Sequence, residues 1–405
     1  MRVLMLSWEY PPIIVGGLGR HVHALSRELA AAGHEVCVVT RGGADLPEAV
    51  HDAVHDGVRV RRAAVDPIAL DFTTESLLAW TQAFEHGLLR AALPVVRRWR
   101  PDVIHAHDWL VTQSATTLAQ VTGRPIVATI HATEAGRHQG WLPAPLNRAV
   151  HSVERWLVRQ AARVITCSSF MRDEVARLFE LPPEQIDVVP NGLDADAWRA
   201  PARARLAART RYAGDGPLLV LAGRLVHEKG IHTALAALPR LRRELPGARL
   251  VVAGTGPQEA TLRATARGLD DAVHWTGFIP DRDLAALIGA ADAVLVPSLY
   301  EPFGLVALEG AAAGTPLAVA DTGGLRDLTF AGARFAPDDP DALAAAVTGL
   351  LRDPSAARGV AARAQRIVRR DYTWAAVAKR TAALYAGYED ERVRITRAGT
   401  PTATP

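Results

Sequence analysis

The chain is poor in cysteine, methionine and lysine. Among 405 residues there are two cysteines and three methionines, and two lysines stand against 44 arginines. Two cysteines cannot build a disulfide framework. Cys37 and Cys167 lie in apolar, strand-like contexts and are predicted to be buried free thiols in a reducing compartment. Aromatic residues make up 6% of the sequence, no basic run is interleaved with them, and the net charge is only +3. That pattern excludes a recognisable nucleic-acid module, so no nucleic-acid partner is expected. No apolar run reaches the roughly 20 residues a spanning helix needs. The opening Met1–Ser7 reads as a short strand interrupted by Trp8-Glu9 rather than as a signal peptide. The expected location is the cytoplasm. The apolar and basic region 75–100 offers at most peripheral membrane contact, and a helix packed on a sheet explains it better.

What the chain does have is apolar residues, 49% of the total, and enough length for two domains with cores of their own. Two stretches share one plan. Strand Val3–Ser7 leads through Gly16-Gly17-Leu18-Gly19 into an amphipathic helix (Val22, Leu25, Leu29) and on to strand Glu35–Thr40. Strand Leu218–Ala222 leads through Gly223-Arg224 and Lys229-Gly230 into a helix (Leu235, Leu238, Leu241) and on to strand Arg249–Ala253. Each is the size of one βαβ unit. Further strands are predicted at Val103–Ala106, Ile126–Ile130, Arg163–Cys167, Ala272–Gly277, Ala293–Pro297 and Pro316–Ala320, with helical patterns between them. The fold class is α/β, with two Rossmann-like domains of parallel sheet in tandem. The turn-rich Val189–Asp194 marks the boundary, giving domains 1–192 and 193–373. Residues 396–405 are expected to be a disordered tail.

The segment Glu301–Gly310 is the most telling motif. A buried strand ends at Pro297, a loop carries Glu301, and a helix starts near Gly304 with Glu309 about one and a half turns in. The free backbone N–H groups of Gly304, Leu305 and Val306 can hold a phosphate, with one carboxylate on either side for hydroxylated rings. A nucleotide sugar has that layout. Arg224 and Lys229, at the end of the strand and the start of the next helix, are candidates for its phosphates.

The glycine turns are not dinucleotide fingerprints. Gly17-x-Gly19 is followed by Val22 where a third glycine belongs, Gly254-x-Gly256 is followed by Glu259, and the second strand ends in Thr40-Arg41 with no acid for a ribose. A nicotinamide enzyme is therefore disfavoured, although Gly17 and Gly254 still suit close approach to an anion. His105-Ala106-His107-Asp108 could suggest a metal site, but no second ligand cluster is evident elsewhere. Asp194-Ala195-Asp196 falls in a turn, and Asp281-Arg282-Asp283 precedes a helix that its acid would cap. No metal and no cofactor are expected. Glu9 after the first strand and His131 after strand Ile126–Ile130 remain open between structural and functional roles.

Glu301-x7-Glu309 and Gly223-Arg224-x4-Lys229-Gly230 resemble the signatures of retaining glycosyltransferases of family 4, the glycogen synthase-like enzymes of GT-B architecture. The resemblance covers nearly the whole chain and implies two domains facing across a crevice, with the helix 374–395 crossing back to the first. It implies that Arg224 and Lys229 neutralise the departing diphosphate, that Glu301, Phe303 and Gly304 grip the sugar, and that Glu309 binds the ribose. Backbone near Ile279, in Gly277-Phe278-Ile279-Pro280, would hold the base. His131 would lie at the reaction centre, and Glu9, Asp108 and Trp109 would line the acceptor side. Within the family the closest likeness is to actinobacterial enzymes of α-1,4-glucan and methylglucose polysaccharide synthesis. The implied reaction is retaining transfer of glucose from a nucleotide diphosphate-glucose to the 4-hydroxyl of an α-glucan or methylglucose oligosaccharide. Ile14 and Arg20 replace a lysine and an acid common in starch and glycogen synthases, so UDP-glucose and ADP-glucose both stay open as donors. A different hexosyltransferase such as a mannosyltransferase, a nucleotide-sugar 2-epimerase and a non-catalytic glucan-binding protein are the alternatives.

Overall fold

The computed structural model describes residues 1–43, 52–64, 70–269 and 271–398, with side chains to residue 387. The chain forms two compact units. The first comprises Met1–Cys167, Arg172–Pro190 and the helix that begins at Trp374; the second comprises Ser168–Met171 and Asn191–Thr373.

The first unit is built on an eight-stranded sheet: β1 (Arg2–Leu6), β2 (Glu35–Arg41), β3 (Asp52–His55), β4 (Val58–Ala63), β5 (Val103–His107), β6 (Ile126–Ile130), β7 (Arg163–Thr166) and β8 (Ile186–Val188). Their order is β3-β4-β2-β1-β5-β6-β7-β8, and every neighbouring pair is parallel except β3 with β4. Strands β1, β5 and β6 are buried nearly throughout because helices cover both faces of the central sheet, and β5 carries His105 and His107 within that buried run. The strand order reverses between β1 and β5, and ligands of open α/β sheets bind at the C-terminal side of such a reversal. Ser7–Glu9, Asp108 and His131 leave the sheet there.

The β3–β4 hairpin is not among the strands predicted from the sequence, although its signal was present. Asp56-Gly57 is a two-residue turn with both φ values positive, 51° and 79°, as a type I′ hairpin requires. The helix Leu77–Trp99 buries Phe84, Leu88, Ala92, Val95 and Val96 and packs on β4 and β2, so its apolar stripe faces the sheet. Among the described residues no helix is long and apolar enough to cross a membrane. The last helix, Trp374–Ala398, lies along the helix Gly17–Ala31. It extends past the expected end at 395, and the tail beyond Ala398 lies outside the described residues.

The second unit has a six-stranded, all-parallel sheet: β9 (Leu218–Ala222), β10 (Arg249–Ala253), β11 (Val273–Gly277), β12 (Ala293–Val296), β13 (Leu317–Ala320) and β14 (Ala333–Phe335). The order β11-β10-β9-β12-β13-β14 is the doubly wound pattern, with its reversal between β9 and β12. Strands β8 and β14 have three residues each, too few to show a period; the turn-rich Val189–Asp194 reads as the exit from β8, and β14 was not predicted. Cys37 and Cys167 are buried free thiols, and burial pushes the Cys37 thiol up to about 12.

Candidate active site

In the first unit the turn after β1 is organised by Glu9. This side chain is 3% exposed, and its Oε2 accepts the backbone N–H of Val15 at 2.7 Å and of Gly16 at 2.9 Å. A β-carbon on Gly19 would stand 2.9 Å from the same oxygen, so glycine is needed for the loop to close over the carboxylate. Burial raises the Glu9 carboxyl, opposed by these amide bonds and reinforced by the charge of Asp108. Glu9 thus holds the loop that leads into Gly17 and the helix Gly17–Ala31, and the amides of Val15 and Gly16 bind this carboxylate.

Asp108 follows β5 with φ 59° and ψ 178°, a conformation open mainly to glycine and worth about 1–3 kcal/mol of strain. The strain positions a bond: Asp108 Oδ1 accepts the His131 N–H at 2.7 Å, which ties the end of β5 to the end of β6. Burial lifts the Asp108 carboxyl to about 6, against bonds from the His131 and Ala132 amides and the charge of Arg137. Burial, with the Arg137 charge, holds the His131 imidazole down to about 3, so it is neutral at any working pH. His131 Nε2 lies 3.2 Å from His107 Nδ1. Beneath it, buried His105 bridges Tyr385 Oη at 2.6 Å and Thr129 Oγ1 at 2.7 Å. Trp109, half-buried, begins the short turn before the helix Thr112–Thr122. Glu85 steadies that helix by accepting the N–H groups of Gln113 at 3.0 Å and Ser114 at 2.6 Å.

Asp108 yields a prediction with a definite sign. Its folded pKa lies above the ordinary carboxylate value, so between about pH 4 and 6 the folded state binds the extra proton, and stability falls as pH rises through that window. Asp108→Asn removes the buried charge, and its melting temperature is expected to exceed that of the native chain at pH 8 but not at pH 4. Activity is expected to fall at least tenfold at both pH values, because a carboxamide offers one acceptor oxygen where the carboxylate serves the N–H groups of both His131 and Ala132. A variant that is destabilised at pH 8 would refute the argument.

In the second unit Arg224 leaves β9, and Lys229 lies in the 3-10 turn His227–Lys229 rather than in the following helix, Ile231–Glu244, as the sequence had suggested. Gly230, at φ 63°, makes the difference: it ends the turn and starts the helix in a left-handed conformation. Lys229 Nζ donates to Glu301 Oε2 at 2.7 Å, and Ser298 Oγ donates to the same oxygen at 3.0 Å. Arg224 stands 3.7 Å from Glu228, with its side chain half exposed. The Lys229 turn is joined to the Glu301 loop through backbone as well, since Leu299 N–H donates to the Glu228 carbonyl at 2.8 Å.

Gly304, at φ 107°, opens the helix Leu305–Ala313 with no side-chain cap and no acid in its first turn, which leaves an anion-attracting terminus at Leu305 and Val306. Glu301 and Glu309 are buried, at 9% and 4% exposure, and neither is a solvated surface acid. Phe303 is buried. The loop is clamped by a segment the sequence reading missed, Gly323-Gly324. Gly324 N–H donates to the Glu301 carbonyl at 2.8 Å, and β-carbons on Gly323 and Gly324 would overlap the carbonyls of Glu301 and Pro302. Gly254 does the same for Arg224, because a β-carbon there would overlap the Gly223 carbonyl. Ile279, half-buried, lies in the loop after β11.

The Asp-x-Asp pairs are structural. Asp194 Oδ1 accepts the Asp196 N–H at 3.1 Å, and Asp196 pairs with Arg369. Asp281 and Asp283 occupy the first turn of the helix Asp281–Ala290 but do not cap it; Pro280 holds the cap position, and the acids favour the helix dipole instead.

Residues 15–197 match the family model described as Glycosyltransferase Family 4, and residues 203–367 the model described as Glycosyl transferases group 1. Over 398 residues, 95% of this chain and 94% of the relative, the sequence is 48% identical to a glycogen synthase of Mycobacterium tuberculosis. The chain belongs to glycosyltransferase family 4. This family-4 chain is also 31% identical, over 95% of its length and 98% of the relative, to the MMP alpha-(1->4)-mannosyltransferase of Mycolicibacterium hassiacum. The solved sucrose-phosphate synthase of Thermosynechococcus elongatus matches it with a TM-score of 0.82 at 26% identity, covering 96% of this chain and 99% of that one. The family-4 chain is thus a glycogen synthase-like hexosyltransferase of GT-B architecture, as its motifs implied.

Proposed function

We propose that the enzyme transfers glucose, with retention, from UDP-glucose or ADP-glucose to the 4-hydroxyl at the non-reducing end of an α-glucan or methylglucose oligosaccharide. The observation that carries this reading is the 48% identity, along nearly the full length, to a protein named as a glycogen synthase. The geometry supports the donor side. Arg224, Lys229 and the N–H groups after Gly304 lie at the C-terminal edge of the second sheet, where cations and amide donors can meet a leaving diphosphate, with Glu228 and Glu301 as the present partners of the two side chains. That charge does the work a metal would do, so the transfer is proposed to need none.

Glu301 and the backbone at Phe303 and Gly304 bind the glucose hydroxyls, Glu309 the ribose, and backbone near Ile279 the base. On the first unit, Asp108 and Trp109 receive the acceptor and His131 is assigned to the reacting sugar. A neutral His131 suits that place, because an imidazolium would oppose the positive charge that develops on the sugar ring.

Product analysis tests the proposal. The purified chain is incubated, without added metal, with UDP-glucose or ADP-glucose and a short maltooligosaccharide. Chain extension that an α-1,4-specific glucosidase reverses is the expected result. Consumption of GDP-mannose with neither glucose donor used would sink the glucan assignment and favour the activity suggested by the mannosyltransferase relative.

A further inference from the structure

Three imidazoles meet in the first unit. His21 is buried on the helix Gly17–Ala31, His107 is buried at the end of β5, and half-buried His131 follows β6. One ligating nitrogen from each lies within 4.8 Å of the other two. The shortest separation, 3.2 Å between His107 Nδ1 and His131 Nε2, is close to the roughly 3.3 Å kept by two nitrogens bound at about 2.0–2.1 Å to one tetrahedral zinc ion. The His21 ring stands 4.7 Å from that of His131 and 5.6 Å from that of His107, centroid to centroid.

The His107 ring also packs against a further imidazole, His105, at 4.1 Å, centroid to centroid. Its Nε2, turned away from the Nδ1 that faces His131, is buried without a hydrogen-bond partner among the described residues, so Nδ1 is the His107 nitrogen offered to a metal. No carboxylate or thiol belongs to the group, which disfavours magnesium and calcium and suits borderline metals that take imidazole.

We propose that His21, His107 and His131 form a three-imidazole site for a borderline divalent transition metal, represented by Zn2+, with a solvent ligand completing the shell. The three histidines belong to the first unit, whereas Arg224 and Lys229 belong to the second. Coordination would occupy the lone pair of His131, and Zn2+ would therefore inhibit sugar transfer; that consequence alone rests on the proposed function.

The test uses the full chain, free of any affinity tag, with Zn2+ alone titrated by calorimetry and Co2+ used as a visible-absorption probe of coordination. One Zn2+ per chain and Co2+ ligand-field bands of a low-coordinate site are expected. His21→Gln and His131→Gln are each expected to weaken binding at least tenfold, while His227→Gln, in the second unit, leaves it unchanged. Melting curves without metal verify that the variants fold, and His21→Asn replaces His21→Gln if the latter does not. Absence of stoichiometric binding by the native chain, or equal binding by both ligand variants, overturns the site. Binding is read without sugar, so a chain that binds Zn2+ yet transfers no glucose keeps the metal site and loses the proposed function, and the opposite result does the reverse.

Discussion

Lys229→Ala is expected to lower kcat/KM for the nucleotide-sugar donor by about 100- to 1,000-fold, the usual effect of removing one preorganised charge from a reaction centre. Two losses combine. The departing diphosphate loses a cation, and Glu301 loses the ammonium that sits 2.7 Å from its Oε2. The Glu301 side chain is 11% exposed, so in the variant its charge is left with the Ser298 hydroxyl as its remaining side-chain donor among the described residues. Stripping the partner from a mostly buried carboxylate costs on the order of 1–3 kcal/mol when the lost cation was itself partly solvated.

The double variant Lys229→Ala/Glu301→Gln separates the two losses. It is expected to recover stability, because no uncompensated charge remains, and to recover no activity. Lys229→Arg is not expected to rescue either, since a planar fork cannot take the place of a compact ammonium against one carboxylate oxygen. Steady-state kinetics and thermal melts of the four proteins measure all of this. A Lys229→Ala enzyme within threefold of native kcat/KM would remove Lys229 from the donor site.

The second large effect is expected at a residue without a side chain. Gly230 has φ 63°, and a β-carbon there would overlap the Pro297 carbonyl oxygen. Backbone cannot move aside as the tip of a side chain can, so Gly230→Ala must separate the Lys229 turn from the strand end that leads to Ser298 and Glu301. A loss of about 3–5 kcal/mol is expected, large for a single methyl and of the size reserved for strained backbone sites. The thermal midpoint and donor binding, followed by calorimetry, should fall together.

Gly349→Ala is the control. This glycine lies in the helix Pro340–Arg352 with open space where a β-carbon would go, so the same chemical change should stabilise the chain by about 0.5–1 kcal/mol. Equal effects at the two positions would mean that the backbone crossing at Gly230 does not constrain the fold.

Much of this molecule could be read from the sequence because its central strands are covered on both faces. Val36–Val39 and Leu218–Leu221 are unbroken apolar runs of strand length next to glycine turns, a pattern local to each segment. Glu301, Gly304, Arg224 and Lys229 were legible for a similar reason, since each belongs to a short motif with fixed spacing. What escaped is what local patterns do not record. Lys229 and Glu301 each read as a ligand contact, and nothing in either motif says that they bind one another across 72 positions. Gly323-Gly324 reads as an ordinary turn until the carbonyls of Glu301 and Pro302 are found against it. His21 looks like one polar residue on an amphipathic helix and joins His107 and His131 only when the helix is laid on the sheet. The Asp56-Gly57 hairpin is different: its turn signal was in plain view, and the alternation of Val58, Arg59, Val60 and Arg61 supported it.

The helix that begins at Trp374 gives the first unit a peculiar history. Its Trp374 ring stands 5.4 Å from His21, and its Tyr385 hydroxyl bonds His105 at 2.6 Å, so the histidine cluster is completed by residues made only after the whole of the second unit. At about 5–20 residues per second, a ribosome that has finished the body of the first unit needs roughly 10–40 s more to deliver them. Throughout that interval the nascent chain carries a sheet with an uncovered helix and a histidine short of its phenol. A message truncated before Trp374 would leave that face permanently bare, available to a chaperone or a protease, so this late helix acts as a seal on a unit begun long before it.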